Sequence, residues 1–365
     1  MISSAPRPRI LHLVDRVTGG VPVAVRAYVA HSPVGVEHVI ASPFRAGAPA
    51  PVWDGLDVGH IEWDTSTPYR AIRTLRRIVG TESFPVLHAH SSYPGAYARL
   101  LVSPRRTHLV YTPHCFAFFR ADVSAPVRAG YRFVERLLVE RTSVLAACGP
   151  GEMTAAESLG FGADRIVMIP NVPSIAEDPA VRRDTDPGTA GTLRVGMLGR
   201  WTAQKDPAYF AARVAELAAG LPSIEVDGCW IGGTGDRATT GIPGPHVHQT
   251  GWLAPSEVGE RLRDLDVYLH SAAWEGFPIA LLDARAAGLP ILCRRIAALS
   301  DLPHPLSVDG GLPALTAAVR AGRFAEWRDG NRAQWDVYLG DRDAHAQRRA
   351  LARAWTPGLN AASRL

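Results

Sequence analysis

The sequence predicts an α/β protein of two halves, each a parallel sheet covered by helices, and three observations carry that prediction. Short β-rich runs alternate with helical stretches along most of the chain, the pattern of repeated βαβ units. Near the middle, Asp178 to Thr192 is rich in Asp, Arg, Pro, Gly and Thr and lacks apolar periodicity, and the alternation restarts after it. The length of 365 residues also exceeds what one hydrophobic core usually serves. The expected organisation is a first domain over 1–175, a linker over 176–192, a second domain over 193–335 and a terminal segment over 336–365.

In the first half, Ile10 to Val14 reads as a strand, and Thr18-Gly19-Gly20 turns into a helix reaching Val29. Val36 to Ala41 is the second strand and Ala71 to Val79 a basic amphipathic helix. Pro85 to His90 is a strand ending at a polar loop, and His108 to Tyr111 runs into Thr112-Pro113-His114. A long helix is expected over Val127 to Thr142, then strands over Ser143 to Ala147 and Ile166 to Ile169. The second half offers strands at Leu193–Leu198, Glu225–Ile231, Val247–Thr250, Val267–Leu269 and Pro290–Cys293. Helices are expected at Pro207–Ala219, Ser256–Leu265, Pro278–Ala287, Ala314–Ala321 and Ala344–Trp355.

Composition narrows the function classes. No segment has the length and continuity of a transmembrane helix, and the N-terminal apolar run is short enough to be a buried strand rather than a signal core. Cys115, Cys148, Cys229 and Cys293 are far apart without a C-x-x-C pair, which fits a reduced cytoplasmic setting better than a disulfide framework or zinc site. The net charge of +4 does not point to nucleic acid. Among 39 basic residues, Lys205 is the single lysine. Where a coding bias turns lysine to arginine, a surviving lysine marks a place where a compact ammonium is needed and a planar guanidinium does not serve.

Two halves with open parallel sheets place ligands beyond the strand C-termini, so the loops there carry the candidate chemistry. Gly199-Arg200, with Lys205 five positions on, follows the first strand of the second half. A glycine admits close backbone approach, an arginine forks two phosphate oxygens and a lysine adds a point charge. Gly19-Gly20 at a helix start suits a phosphate or is a simple tight turn, and no G-x-G-x-x-G follows that strand, which argues against a dinucleotide site. Glu275-Gly276-Phe277-Pro278 opens a helix, with Asp283 eight positions after Glu275. The two carboxylates either bind hydroxyls together with the free N–H groups there or complement the helix dipole. His88 and His90 share one strand face, but without an evident third ligand the reading is a satisfied polar contact and no metal. His114 sits at another strand end.

In order along the chain, Leu13 to Gly20, Tyr111 to His114, Ile169-Pro170-Asn171, Gly199-Arg200 with Lys205, Gly232 to Gly235, and Trp274 to Pro278 with Asp283 resemble the retaining GT-B glycosyltransferases of the family-4 type. The likeness covers most of the chain and implies two Rossmann-like domains with parallel sheets facing an interdomain cleft. It implies a nucleotide-diphosphate sugar as donor, UDP- or GDP-linked, with Arg200 and Lys205 offsetting the diphosphate charge and Gly20 bringing backbone N–H groups from the other domain. Glu275, Gly276 and Phe277 would hold donor-sugar hydroxyls, Asp283 would stand for the glutamate that binds ribose, and His114 would lie beside the transferred sugar. Gly19, Gly199, Gly233 and Pro278 complete the implied donor-binding set. No metal or other cofactor is expected, and the final helix would cross back onto the first domain.

This chain departs from the pattern in the shorter Asp283, in Asn171-Val172-Pro173 and Gly149-Pro150-Gly151, and in a short stretch from Leu299 to Arg323. The acceptor is open: a glycan, a lipid-linked sugar or a secondary metabolite. Arg70, Arg73, Arg76, Arg77, Arg105 and Arg106 suit a solvated face or a peripheral contact with anionic lipid at the inner face of a membrane. Two other readings share the scaffold, a sugar-nucleotide epimerase and a non-catalytic binding subunit.

Overall fold

The computed structural model describes residues 7–176, 186–233, 244 and 246–362. The chain divides into two compact units, one of Met1–Val172 with Arg342–Leu365 and one of Pro173–Asp341.

The first unit contains β1 (Arg9–Val14), α1 (Gly20–Ala30), β2 (Glu37–Ser42), β3 (Gly59–Glu62), α2 (Pro68–Thr81) and β4 (Val86–His90). It continues through α3 (Ser92–Leu101), β5 (His108–Thr112), α4 (Ala125–Leu137), β6 (Val144–Ala147), α5 (Pro150–Leu159) and β7 (Ile166–Met168). The strands form one parallel sheet in the order β3-β2-β1-β4-β5-β6-β7. The order reverses between β1 and β4, whose register pairs His12 with His88 and Val14 with His90. Both faces of the sheet are covered, so its strands read as continuous apolar runs. Leu11, Leu13, Leu87, Leu109, Tyr111 and Leu145 project into the main core of this unit.

The second unit contains α6 (Pro187–Ala190), β8 (Thr192–Leu198), α7 (Pro207–Gly220), β9 (Glu225–Ile231), β10 (Val247–Gln249) and α8 (Pro255–Arg263). It continues through β11 (Val267–His270), α9 (Ile279–Ala286), β12 (Ile291–Cys293), α10 (Val308–Arg320) and α11 (Phe324–Leu339). Its parallel sheet runs β10-β9-β8-β11-β12, reversing between β8 and β11.

The last helix, α12 (Ala344–Ala362), returns to the first unit. There Trp355 is fully buried, Ala354 O accepts from His108 Nε2 at 2.8 Å, and Gln347 Nε2 donates to Pro170 O at 2.8 Å.

Several elements differ from the sequence expectation. The stretch expected as linker is described only at its ends, and from Asp186 onward it is ordered secondary structure. Asp186 caps α6 by accepting from Gly188 N at 2.8 Å, and β8 begins at Thr192. β3 carries a single strongly apolar residue, Ile61, and is an edge strand, so alternation could not reveal it. α3 was hidden by Pro94-Gly95, which reads as a chain break. Pro94 lies in the first turn, where no N–H is needed, and a Cβ on Gly95 would stand 2.3 Å from the Tyr111 ring. The long helix expected to Thr142 ends at Leu137 and continues as a 3-10 turn over Val139–Arg141. α10 starts at Val308, with Pro313 inside it, and α12 runs past Trp355 with Pro357 inside. Both prolines had cut the periodic pattern short.

Candidate functional site

The second unit brings one group of expected residues together at its sheet reversal. β8 ends at Leu198 and β9 at Ile231, and the backbones of the following glycines touch. A Cβ on Gly232 would lie 2.3 Å from Gly199 O, and one on Gly199 would lie 3.0 Å from Lys205 Cε. Glycine at both positions therefore lets the loop fold flat against the strand end with the lysine stem across it. Trp230 Nε1 donates to Gly199 O at 2.9 Å, and Trp201 N donates to Gly233 O at 3.2 Å. Arg200 lies half-buried in this loop. Thr234 and Gly235, the rest of the glycine-rich run, lie outside the described residues.

Lys205 closes a turn onto Thr202 O and stands two residues before α7. Asp206 takes a left-handed conformation, caps α7 through Tyr209 N at 3.1 Å, and accepts from Arg294 Nη1 at 2.6 Å. Across the reversal, the loop after β11 carries Glu275. Its Oε1 pairs with Lys205 Nζ, and its Oε2 accepts from Gln204 Nε2 at 3.3 Å. Ser271 Oγ donates to Lys205 O at 2.6 Å and Ala273 N to Gln204 O at 2.8 Å, so the two loops are stitched together by backbone as well as side chain. Burial, with the Lys205 ammonium, holds the ring of His270 neutral behind Glu275. Sequence reasoning missed Gln204, Asp206, His270, Ser271 and Arg294. Their only available signal was position: each flanks a strand C-terminus or a helix start.

Pro278 is the N-cap of α9, and the helix begins at Ile279 rather than at the proline. Phe277 is 4% exposed, and Gly276 joins it to Glu275. The Asp283 carboxylate is engaged within its own unit. Oδ1 accepts from Ser174 N at 2.6 Å and Oδ2 from Ser174 Oγ at 2.9 Å, with Ile175 N at 3.4 Å from Oδ1. The side chain, one methylene shorter than the glutamate of the family pattern, is spent on anchoring the first residues of this unit.

Burial pushes the Asp283 carboxyl up to about 6, against the lowering effect of the three Ser174 and Ile175 donors. A folded-state value above the unfolded one means stability that is full below about pH 4 and lost as pH rises through about 6. Asp283→Asn mimics the protonated form. The variant is therefore expected to gain about 2–3 kcal/mol relative to wild type between about pH 4 and about pH 7.5. Denaturant melts at both pH values check this, and a stability difference that ignores pH would refute the burial argument.

Gly19, Gly20 and His114 belong to the first unit. Gly19, with φ of 90°, caps α1, whose first turn holds neither a side-chain cap nor an acid, and a Cβ on Gly20 would meet nothing within 4 Å. His114 and Cys115 both have positive φ, 51° and 115°, conformations costly for residues with a Cβ. The loop is held by buried Glu152, which sequence reasoning also missed. Its Oε1 accepts from Cys115 N at 2.7 Å and its Oε2 from Cys148 N at 2.9 Å.

His88 and His90 acquire the third histidine that the sequence did not reveal, because His12 sits opposite His88 on the neighbouring strand. The ligand atoms of the three lie within 4.8 Å of one another. Each ring nitrogen nevertheless has a partner. His12 faces His90 and His38 at 3.0 Å each, and His90 also faces His114 at 3.0 Å. His88 Nε2 lies 2.8 Å from Thr112 Oγ1, and its Nδ1 accepts from Trp355 Nε1 at 3.3 Å. The three histidines are thus joined in a hydrogen-bonded network.

A fold of two parallel sheets with a cationic loop against a carboxylate at a sheet reversal is the architecture of GT-B glycosyltransferases. Residues 12–172 match the glycosyl transferase 4-like domain and residues 192–325 match glycosyl transferases group 1, so the chain belongs to this glycosyltransferase family. It is 24% identical over 242 residues to the UDP-Gal:alpha-D-GlcNAc-diphosphoundecaprenol alpha-1,3-galactosyltransferase of Escherichia coli. It is also 24% identical over 230 residues to an uncharacterized 41.2 kDa protein in the cps region of Klebsiella pneumoniae. These alignments cover 62% and 60% of this chain, and the chain spans 62% of the length of each relative. Anabaena HepE in complex with UDP shares the fold, with a TM-score of 0.67 over 96% of this chain and 100% of that one at 13% identity.

Proposed function

We propose that the protein transfers a sugar from a nucleoside-diphosphate sugar to an acceptor hydroxyl with retention of anomeric configuration and without a metal ion. The observation that carries this reading is the pairing of the Gly199–Lys205 loop with Glu275 across the β8/β11 reversal, where open α/β sheets bind ligands. In this reading the donor diphosphate takes the ammonium of Lys205 and the guanidinium of Arg200, and Glu275 turns to the sugar hydroxyls. The bond from the anomeric carbon to the phosphate oxygen breaks, and the acceptor oxygen bonds to that carbon on the same face. The acceptor proton passes to the leaving phosphate, so no protein nucleophile is needed. The two cations offset the charge that a metal would otherwise balance. His114 meets the transferred sugar.

A uridine donor is favoured, since the E. coli relative uses UDP-galactose and HepE binds UDP. A thermal-shift panel of UDP-, GDP-, ADP- and TDP-sugars tests it. A specific donor at a hundredfold excess over its Kd should add about 2.7 kcal/mol of stability. No response to any sugar nucleotide would favour a non-catalytic binding role. Conversion of the donor to its epimer without acceptor would favour an epimerase.

We also propose that the acceptor is lipid-linked and that the first unit docks on anionic lipid, in line with the diphosphoundecaprenol acceptor named for the E. coli relative. Among the described residues no helix is long and apolar enough to cross a membrane, and the contact proposed is peripheral. The arginines of α2 surround a helix whose apolar face is already consumed by Ala71, Leu75 and Ile78 in the core. The better surface is α4. Val127, Phe133, Val134 and Leu137 are 43%, 61%, 46% and 64% exposed along one stripe, with Arg136 beside it. An exposed apolar stripe edged by arginine is the design of an interfacial helix. The protein should co-sediment with phosphatidylglycerol vesicles, and Phe133→Asp with Leu137→Asp should abolish that. Wild type that stays in solution at low salt, or a dimer lost in the variant, would count against lipid.

A further inference from the structure

We infer that His38, His12 and His90 form a hydrogen-bonded series that fixes the ring of His114 in one neutral tautomer, with the proton on Nδ1. The inference rests on the reading of His114 as a site residue, and the three others are positioning residues for it.

The series runs across the sheet from β2 to the loop after β5. His38 Nδ1 faces His12 Nε2, His12 Nδ1 faces His90 Nε2, and His90 Nδ1 faces His114 Nε2, each pair at 3.0 Å. Each contact needs one proton shared between two nitrogens, because two bare nitrogens repel and two N–H groups clash. Four neutral rings carry four protons and three sit in the contacts. The fourth belongs to one end, His38 Nε2 or His114 Nδ1, and that choice sets every ring in between. All four rings are then either Nδ1–H or Nε2–H.

The two ends are not equivalent. His38 Nε2 is buried without a hydrogen-bond partner, whereas His114 is only partly buried and its Nδ1 is not among the buried atoms that lack a partner. A proton on His38 Nε2 would be a buried donor with nothing to accept it, the rarer kind of unsatisfied group. The remaining choice puts the proton on His114 Nδ1, so the ring offers a donor to whatever lies beyond it.

Ionisation does not disturb this arrangement near neutral pH. Burial lowers His38 to about 4 and His114 to about 3, and His12 and His90 fall well below their ordinary value through burial and neighbouring histidines. The groups packed around the series are Tyr28 from α1, Trp355 from α12, and His88. Glu152 fixes the backbone of the next residue, Cys115, from a different side. The loop at His114 is thus held at the next backbone N–H by a carboxylate, and the His114 ring by His90 at the end of the series.

The test is nitrogen NMR of the full chain labelled in histidine, with the His114 signals assigned by their loss in His114→Gln. Wild type should show His114 with a protonated Nδ1 and a bare Nε2, unchanged from about pH 8 to about pH 5. In His90→Leu the contact that fixes His114 Nε2 is gone, and His114 should become a mixture of tautomers. Sugar transfer by that variant should lose about tenfold in kcat with KM for the donor held. A wild-type His114 that is Nε2–H, mixed, or titrating near its ordinary value would overturn the inference, and this measurement depends on no variant folding. Equally decisive against it would be a His90→Leu protein whose His114 keeps both tautomer and kcat. If the tautomer is as stated but His114→Gln transfers sugar at the wild-type rate, the site reading of His114 fails, not the series.

Discussion

Lys205→Ala is expected to lower the turnover of sugar transfer by about 10³-fold, roughly 4 kcal/mol of transition-state stabilisation. The reason is the charge that grows on the leaving diphosphate as the sugar bond lengthens. A cation fixed before the reaction stabilises that charge without reorganising. Lys205 is fixed in this sense. Its backbone oxygen accepts from Ser271, its stem lies across Gly199, and its ammonium meets Glu275. The fold should survive, since the loop keeps its backbone bonds through Ala273 and Thr202 and Gln204 still donates to Glu275. Lys205→Arg should not restore activity. The stem already passes 3.0 to 3.3 Å from where a Gly199 Cβ would be, which leaves no slack for a longer, planar group. Initial-rate assays with matched circular dichroism check this. Transfer by Lys205→Ala within a few-fold of wild type would remove Lys205 from the site.

The residues that were legible in the sequence share one property: each sits where a strand ends. Gly199, Lys205 and Glu275 could be placed because parallel sheets put ligands at strand C-termini, and their strands were continuous apolar runs. What was not legible depends on contacts between distant positions. Asp283 is 109 residues from Ser174, and nothing near it in sequence says that its carboxylate is already engaged. His12 lies inside Ile-Leu-His-Leu-Val and reads as one polar residue in a buried strand. Only the β1–β4 register sets it beside His88. A usable signal did exist. His12, His38, His88 and His90 fall on three strands that end the same way, and buried histidine on several neighbouring strands calls for partners.

Arg99→Met is expected to destabilise the first unit by about 3–5 kcal/mol, because it leaves a buried carboxylate unpaired. Arg99 and Glu135 are 0% and 6% exposed at their side chains and meet at 2.7 Å. Arg99 Nε also donates to Gly95 O at 2.9 Å, its guanidinium lies 4.1 Å from the Tyr111 ring centroid, and Tyr111 donates to Glu135 Oε1 at 3.0 Å. Glu135 is the buried residue of α4. Periodicity alone would turn the apolar stripe of that helix inward, yet the ion pair docks the opposite side and leaves Phe133 and Leu137 facing out. Removing both charges, Arg99→Met with Glu135→Leu, should recover much of the lost stability, since a buried pair often gains little over apolar replacements of similar volume. Denaturant melts of both single variants and the double close the cycle. Additive losses would mean that the pair does not couple α3 to α4. With apolar groups of similar volume in place of both charges, α4 stays docked on the same side, so the double variant should be stable and bind anionic vesicles as wild type does.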